Sequence, residues 1–158
     1  MKKTGIFLLC ALLLFSCNNK KYAKITDYND HVVKYLEQAE LTVKTWSNTN
    51  FMQLYELKKQ NSILKLLDMQ DSLTALTPLH DDDTLRQAAM GMIDNYLKSF
   101  TIYDSVYAIL TDTAYYKSDS IRVRELLKSN QNMLQQQADA FQALQKRFSE
   151  RYGVEFLE

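Results

Sequence analysis

The chain has 158 residues and carries 19 basic and 19 acidic side chains, so its formal net charge is zero. A chain without a basic excess lacks the electrostatic footprint of a nucleic-acid-binding protein, and we expect no nucleic-acid partner. Glycine and proline are scarce, with three glycines and one proline. This scarcity favours long helices.

The amino-terminal end has the pattern of a cleavable export signal. Lys2 and Lys3 precede an apolar run over residues 6–15, and polar residues follow. The run is about ten residues long, whereas a helix needs roughly 20 apolar residues to cross a bilayer. We therefore interpret residues 1–16 as a signal peptide that is removed.

The end of this segment, Leu14-Phe15-Ser16-Cys17, resembles the lipobox of bacterial lipoproteins. The resemblance implies cleavage before Cys17, a diacylglyceryl group on its thiol and an acyl chain such as palmitate on its new amino group. Several acyl chains together make membrane attachment effectively permanent. Because Cys10 would leave with the signal, no free thiol would remain for a disulfide, a metal or catalysis.

The residues after the cysteine bear on location. Asn18 is similar to the residue found in lipoproteins sorted to the outer membrane, and 18–21 lacks the acidic residues that favour surface display in Bacteroidetes-type lipoproteins. The resemblance implies an outer-membrane lipid anchor facing the periplasm, with surface exposure left open. We interpret 17–24 as the lipidated cysteine and a polar tether, and 25–158 as one domain.

Apolar residues recur at helical spacing in four segments of this domain. Connections between the segments are short, which predicts an all-α, antiparallel up-down-up-down four-helix bundle. The helices are predicted at about 26–47, from about 50 to Thr77, from Thr84 to about Leu110, and from the cap Ser118-Asp119-Ser120 to Gly153.

Each segment has a stripe that we expect to face the core. Gly153 is expected to end the last helix in a left-handed conformation, with later apolar residues folding back. The predicted stripes are Ile25, Tyr28, Val32, Tyr35, Ala39, Val43 and Trp46; then Phe51, Leu54, Leu57, Leu64 and Leu67, beside a second one of Ile63, Leu66, Leu73 and Leu76; then Leu85, Ala89, Met92, Tyr96, Phe100, Tyr103, Tyr107 and Leu110; and Leu127, Leu134, Phe141 and Phe148, with Val154, Phe156 and Leu157 following.

The most metal-like local sequence is His80 followed by the acidic run 81–83, since hard cations bind several carboxylate oxygens. The same carboxylates lie where the third helix needs capping, and we favour that interpretation. Asp27 and His31 are one helical turn apart, and we expect them to pair on the surface. We expect no metal site and no cofactor.

Signatures of catalysis are missing from the sequence. Neither histidine has the glutamate three residues earlier that a di-iron bundle uses, because Tyr28 and Thr77 occupy those positions. No Gly-rich phosphate loop and no Gly-x-Ser-x-Gly motif occurs. We therefore predict no catalytic residues and no enzymatic activity.

Tyrosine is unusually frequent, with ten in the chain. Tyr96, Phe100 and Tyr103 fall on the apolar face of the third segment. Packing in the core and at its rim is the favoured interpretation, because tyrosine buries its ring while its hydroxyl stays hydrogen-bonded. The alternative is a slot between helices that holds an apolar ligand.

The segment 81–89 with Tyr96 and Tyr103, and the endings 145–148 and 152–154, look like a family of small all-helical Bacteroidetes-type lipoproteins that has no established activity. The resemblance implies export and a helical fold, and adds no site residues. The leading hypothesis is a noncatalytic binding or structural module that contacts an envelope protein through an exposed apolar face. The alternatives are a carrier of a small apolar ligand, lined by Tyr96, Phe100 and Tyr103, and an enzyme centred on His31 or His80.

Overall fold

The computed structural model describes the backbone of residues 4–47, 55–79, 82–114 and 116–154, and the side chains in these ranges from Lys24 onward except those of 47 and 117. Within these ranges the chain forms four helices and no strand, so the all-α prediction is confirmed. The helices are α1 Thr4–Ser47, α2 Tyr55–Ala75, α3 Thr84–Thr111 and α4 Lys117–Tyr152.

The helices alternate in direction, as the sequence predicted. In an antiparallel pair, residues late in one helix lie beside residues early in the next, and each successive pair of helices has such contacts. The four-helix up-down-up-down arrangement is therefore confirmed. The contacts are Trp46 with Tyr55, Tyr55 with Asp104, Gln70 with Asp94, Ser99 with Asn130, and Asp82 with Arg151.

The first helix begins much earlier than predicted. The expected start was about residue 26, whereas α1 runs from Thr4 without a break to Ser47, the predicted end. Residues 17–24, interpreted as a tether, are therefore helical, and at 1.5 Å per residue they span about 12 Å. Among the described helices, none combines the length and the apolar content needed to cross a bilayer.

All four helices contribute to one core, which α4 joins mainly through α3. α1, α2 and α3 contact one another, whereas α4 packs mainly against α3. α4 meets α1 near one end of the bundle, where the rings of Tyr28 and Phe148 lie 6.1 Å apart and Gln145 Nε2 donates to Asn29 Oδ1 at 3.1 Å. Farther along, a cleft separates these two helices.

Of the two stripes predicted to face the core on α2, the first was wrong and the second was confirmed. Leu57 and Leu64 are 59% and 63% exposed and Leu67 is exposed too, whereas Leu66 and Leu73 of the second stripe are fully buried. Tyr55 and Ser62 complete the buried face. Phe51 and Leu54, also predicted to face the core, lie outside the described residues. Both stripes have seven-residue spacing, and only packing against α1 and α3 selects between them.

The stripes of α3 and α4 were predicted more accurately. The first five stripe residues of α3 are buried, Tyr103 and Tyr107 are half-buried, and Leu110 is exposed; the buried ones are Leu85, Ala89, Met92, Tyr96 and Phe100. On α4 the burial of the heptad positions increases along the helix, because α4 lies closer to α1 toward its carboxyl end. Leu127 is 38% exposed, Leu134 is half-buried, and Phe141 and Phe148 are buried.

Helix ends follow the expected chemistry with small shifts in residue. Asp82 Oδ1 accepts the Thr84 N–H at 3.2 Å at the start of α3, and an Asp119 oxygen accepts the Tyr116 N–H at 2.8 Å at the start of α4. Gly153 ends α4 with a φ of 64°, the left-handed stop that was predicted. The N–H of buried Val154 donates to the Ser149 carbonyl. Phe156 and Leu157 lie outside the described residues.

Arg86 joins the end of α2 to the start of α3. Its guanidinium donates to the carbonyl oxygens of Leu76 at 2.6 Å and Thr74 at 3.1 Å, and pairs with Asp83 at 2.6 Å. Carbonyl groups at a helix carboxyl end lack partners within the helix and carry partial negative charge. One cation therefore stabilises the end of one helix and holds the beginning of the next beside it.

Candidate binding cleft

The cleft between α1 and α4 is the largest described cavity with an apolar floor. It has a volume of about 600 Å³, within the range of about 300–1,000 Å³ typical of small-molecule sites. The contacts between α1 and α4 at Asn29 and Gln145 limit it at one end. Its apolar lining is Val33, Leu36 and Val43 of α1, Met92, Tyr96 and Tyr103 of α3, and Leu127, Leu134, Ala138 and Phe141 of α4.

Two of the three aromatic residues predicted to line a ligand slot belong to this cleft. Tyr96 and Tyr103 form part of its floor, whereas Phe100 is not among the lining residues. Phe100 is buried with its ring 4.9 Å from that of Trp46, in edge-to-face contact. Trp46 also contacts Tyr103 at 4.6 Å, so the single tryptophan lies directly behind the cleft floor.

Buried polar atoms lie next to this floor. Ser99 Oγ is 2.8 Å from Asn130 Oδ1, and both side chains are buried. Burial raises the pKa of Tyr103, and a hydrogen bond with Asn130 partly opposes that rise. Burial, with a smaller contribution from the charge of Glu40, raises the pKa of Tyr96 to about 12. Both phenols therefore stay protonated near neutral pH.

The rim of the cleft is polar but carries little net charge. Glu40 and Lys44 on α1 pair at 2.5 Å, which leaves Glu37 as the remaining charged rim residue. The α4 side of the rim supplies uncharged amides, namely Gln131, Gln135, Gln142 and Gln145. An apolar trough with amide groups along one edge suits a molecule with a long apolar body and hydrogen-bonding groups without strong charge.

The amide rim was not identified from the sequence. Glutamines on an exposed helix face have no motif, so nothing distinguishes those that border a cavity. Asn130 is different, because it lies three residues after Leu127 and four before Leu134, at a position where the heptad pattern calls for an apolar side chain. A polar residue at such a position was the one available signal.

The carboxylates of the acidic run serve to fix helices. Asp82 accepts from the Thr84 hydroxyl at 2.6 Å and pairs with Arg151 at 2.7 Å, and these contacts lower its pKa, that with Thr84 most. Asp83 pairs with Arg86. In the part of the chain that the structure describes, no cluster of His, Cys, Asp and Glu could hold a metal ion. His80 and residue 81 lie outside that part.

The prediction that His31 pairs with the carboxylate of Asp27 was wrong. Its Nδ1 instead lies 2.7 Å from the backbone carbonyl oxygen of Asp27, one turn earlier in the same helix, and the side chain is exposed. The contact is local and brings no second functional group to the histidine.

A second candidate surface lies on α1 and α2, which pack against each other. Leu41 of α1 and Leu57 and Leu64 of α2 are 63%, 59% and 63% exposed. We call these three residues the leucine face. Beside them a crevice of about 350 Å³ runs between α1 and α2, lined in part by Trp46, Lys58 and Lys65. It is an exposed apolar surface of the kind that the protein-contact hypothesis requires.

Cys17, the predicted lipidation site, lies within α1, and its side chain is outside the described ones. No protein-family model, curated protein or solved structure matches this chain. The architecture shows a small four-helix protein, and the cleft and the leucine face are the two surfaces from which a function can be argued.

Proposed function

We propose that this protein is a lipid-anchored, noncatalytic binding module of the bacterial outer membrane, and that its cleft holds an elongated apolar small molecule. The observation that supports a ligand is the cleft itself. It has a volume of about 600 Å³, an apolar lining and uncharged amides along the α4 side of its rim. The anchor rests on the resemblance of residues 14–17 to a lipobox.

The lining favours a small molecule with a flexible apolar body. The floor is built from branched aliphatic side chains and from tyrosine rings that are buried or half-buried, so little flat aromatic surface is offered to a planar ligand. The amides and phenols around it donate and accept hydrogen bonds without carrying charge at neutral pH. A single acyl chain with a neutral polar head meets both conditions.

The anchor is tested by replacing Cys17 with serine in the full-length protein. Wild-type protein from its own envelope is expected to begin at Cys17 and to carry acyl groups, because the thiol is the lipid acceptor in the family that it resembles. Cys17→Ser should give an unlipidated chain that retains residues 1–16. Intact-mass spectrometry measures both, and Cys10→Ser is the matched control, with the wild-type mass expected. An unmodified wild-type chain that starts elsewhere would contradict the anchor.

The cleft is tested by placing a phenyl group inside it. Ala138 lines the cleft, whereas Ala140 two residues later on α4 is exposed. We expect a dansyl-labelled fatty amide, whose head group is uncharged, to bind the wild type with energy transfer from Trp46, which contacts Tyr103 of the cleft lining. Ala138→Phe should weaken that binding at least about tenfold, since a ring filling the cleft excludes the acyl chain.

Ala140→Phe is the matched control and should bind the dansyl fatty amide as tightly as the wild type. It makes the same chemical change on the same helix, so differences in helix propensity cancel. Equal binding by the two variants would show that the probe binds elsewhere. Absence of energy transfer in the wild type would reject the cleft as an acyl-chain site.

Contact with another envelope protein is the second candidate function. The observation that favours it is the leucine face, because three large aliphatic side chains more than half exposed on two adjacent helices of a small domain are typical of a contact surface.

A further inference from the structure

The cleft between α1 and α4 has two ends of different character. Gln145 of α4 donates to Asn29 of α1 at one of them, which we call the closed end. Because the two helices are antiparallel and rise equally, residues equally distant from this contact lie at the same height. Val33 is therefore level with Phe141. Asn130 lies eleven residues before Phe141 on α4, about 16 Å from the closed end along the helix.

The lining near the closed end is apolar. It consists of Val33 and Leu36 of α1 and of Ala138 and Phe141 of α4. Toward the other end α4 is less buried, since Leu127 is 38% exposed and Phe141 only 6%. An acyl chain that enters from that side reaches an apolar surface bounded by the contact of the two helices, which suits the tail of a ligand.

Three polar side chains meet at the other end, which we call the polar end. Asn130 lines the cleft although it is only 2% exposed, and its Oδ1 is 2.8 Å from Ser99 Oγ. Tyr103 also lines the cleft and forms a hydrogen bond with Asn130. Ser99, Asn130 and Tyr103 therefore form one connected group beside the ligand space.

The direction of the hydrogen bond between Asn130 and Tyr103 decides what this group offers to a ligand. Burial raises the pKa of Tyr103, and the bond with Asn130 opposes the rise. A hydrogen bond that favours the phenolate is one donated to its oxygen, so the Asn130 amide is the donor. The phenol then keeps its own hydrogen for a further acceptor. A ligand group that matches it is a carbonyl oxygen.

The charges that line the cleft favour an uncharged head over a carboxylate. Glu37 and Glu40 face a single cation, Lys44, among the charged residues of the lining. The Nζ of Lys44 is already paired with Glu40 at 2.5 Å. A ligand carboxylate would add a third negative charge to this group, whereas a neutral amide or ester adds none.

We propose that the polar end of the cleft is a head-group subsite, in which Tyr103 donates a hydrogen bond to an uncharged carbonyl while Asn130 and Ser99 hold the phenol in position. This inference rests on the proposed function, since it assigns the orientation of the ligand in the same cleft. The carbonyl lies beside Asn130, and the acyl chain runs from there toward Phe141 at the closed end.

The test compares a medium-chain primary amide with the alkane of the same length, each displacing the dansyl fatty amide from the full-length protein. Tyr103→Phe should weaken binding of the amide about tenfold, because it removes one hydrogen bond in a buried site. It should change the affinity for the alkane less than about twofold, since the ring remains. Asn130→Leu should have the same selective effect, because the phenol then loses the amide that positions it.

Tyr107→Phe is the matched control, since it makes the same chemical change one turn later on α3. Tyr107 is half-buried with its ring 4.3 Å from that of Tyr55, and it is not among the lining residues of the cleft. This variant should bind both compounds as the wild type does. Circular dichroism should show equal helix content in all variants. Equal weakening of amide and alkane by Tyr103→Phe, or no weakening of either, would overturn the subsite.

Failure of the subsite is distinguishable from failure of the cleft. If the wild type does not bind the dansyl fatty amide, the proposed function fails and the subsite fails with it. If the wild type binds the probe and Ala138→Phe blocks that binding, while Tyr103→Phe does not discriminate between amide and alkane, the cleft stands and the subsite alone is rejected.

The orientation of the ligand is measured through Trp46, the single tryptophan, whose ring lies 4.6 Å from that of Tyr103. A nitroxide quenches tryptophan fluorescence only at short range. A fatty amide with the nitroxide beside its head should therefore quench Trp46 more strongly than an isomer with the nitroxide at the end of its chain. The opposite order would place the head at the closed end and overturn the proposal.

Discussion

Leu66→Ala should lower the free energy of unfolding by about 2–5 kcal/mol, whereas Leu64→Ala, two residues earlier, should change it by less than about 0.5 kcal/mol. Leu66 is fully buried between α2 and its neighbours, so its truncation removes apolar contacts and leaves a cavity. Leu64 is 63% exposed, so its truncation leaves no cavity. The helix and the chemical change are the same in both variants.

The measurement is urea unfolding followed by the fluorescence of Trp46 and by circular dichroism. Trp46 is buried among Tyr55, Phe100 and Tyr103, so its emission reports on the contact of α1 with α2 and α3. The comparison is made at one protein concentration for both variants. Equal losses for the two variants would show that the buried face of α2 is assigned incorrectly.

The contrast between α2 and α3 shows where sequence periodicity is sufficient. Along α3 a single apolar stripe advances at the helical repeat, and its members between Leu85 and Phe100 are buried as predicted. Along α2, leucines form two stripes, and the one containing Leu57 and Leu64 looks as apolar as the one containing Leu66 and Leu73. Intrinsic pattern cannot decide between them, because the choice is made by the residues of α1 and α3 that pack there.

The start of α1 shows a different limit. Polar composition over 18–24 suggested a tether, but no glycine or proline occurs between Gly5 and Pro78. Lysine and alanine in that segment are good helix formers, and the apolar residues before it are compatible with a helix as well. Nothing in the chain therefore stops α1 from extending back to Thr4, which the polarity argument did not take into account.

The cleft could be predicted only in part. Tyr96 and Tyr103 were identified because they lie on the apolar face of α3, yet Phe100 on the same face packs against Trp46 instead. The amphipathic pattern gives the direction of a side chain from its own helix, but does not indicate which neighbouring helix it will meet. Long-range packing decides where α1 touches α4, as it does at Tyr28 and Phe148, and where a cleft separates the two helices. A pattern within one segment does not contain that information.

Raising the pH from 10 to 12 should unfold the protein cooperatively, and buried tyrosines are the reason. Burial, and to a lesser extent the charge of Asp83, raises the pKa of Tyr28 to about 12, and Tyr96 reaches about 12 mainly through burial. Tyr55 is shifted in the same direction by burial and by its hydrogen bond to Asp104. In the unfolded chain these phenols ionise near pH 10.

The sign follows from proton linkage. Between pH 10 and 12 the unfolded chain has released protons that the folded chain still holds, so the free energy of unfolding falls as the pH rises. The stabilisation is fully present below pH 10 and is lost as the pH passes through the folded-state pKa. Tyr28 and Tyr96 act in the same direction, and the total stability of an ordinary domain is only about 5–15 kcal/mol.

Tyr96→Phe isolates one of these contributions. It removes a buried ionisable group and keeps the ring, so stability should fall less steeply between pH 10 and 12 than in the wild type. Tyr116→Phe is the control, since Tyr116 is exposed and its loss should leave the pH dependence unchanged. Urea midpoints across this range, with ultraviolet absorbance of tyrosinate, provide the measurement. If all the tyrosines titrate near pH 10 while the helices persist, the phenols of Tyr28 and Tyr96 are not buried as described, and the cleft floor built on Tyr96 must be revised with them.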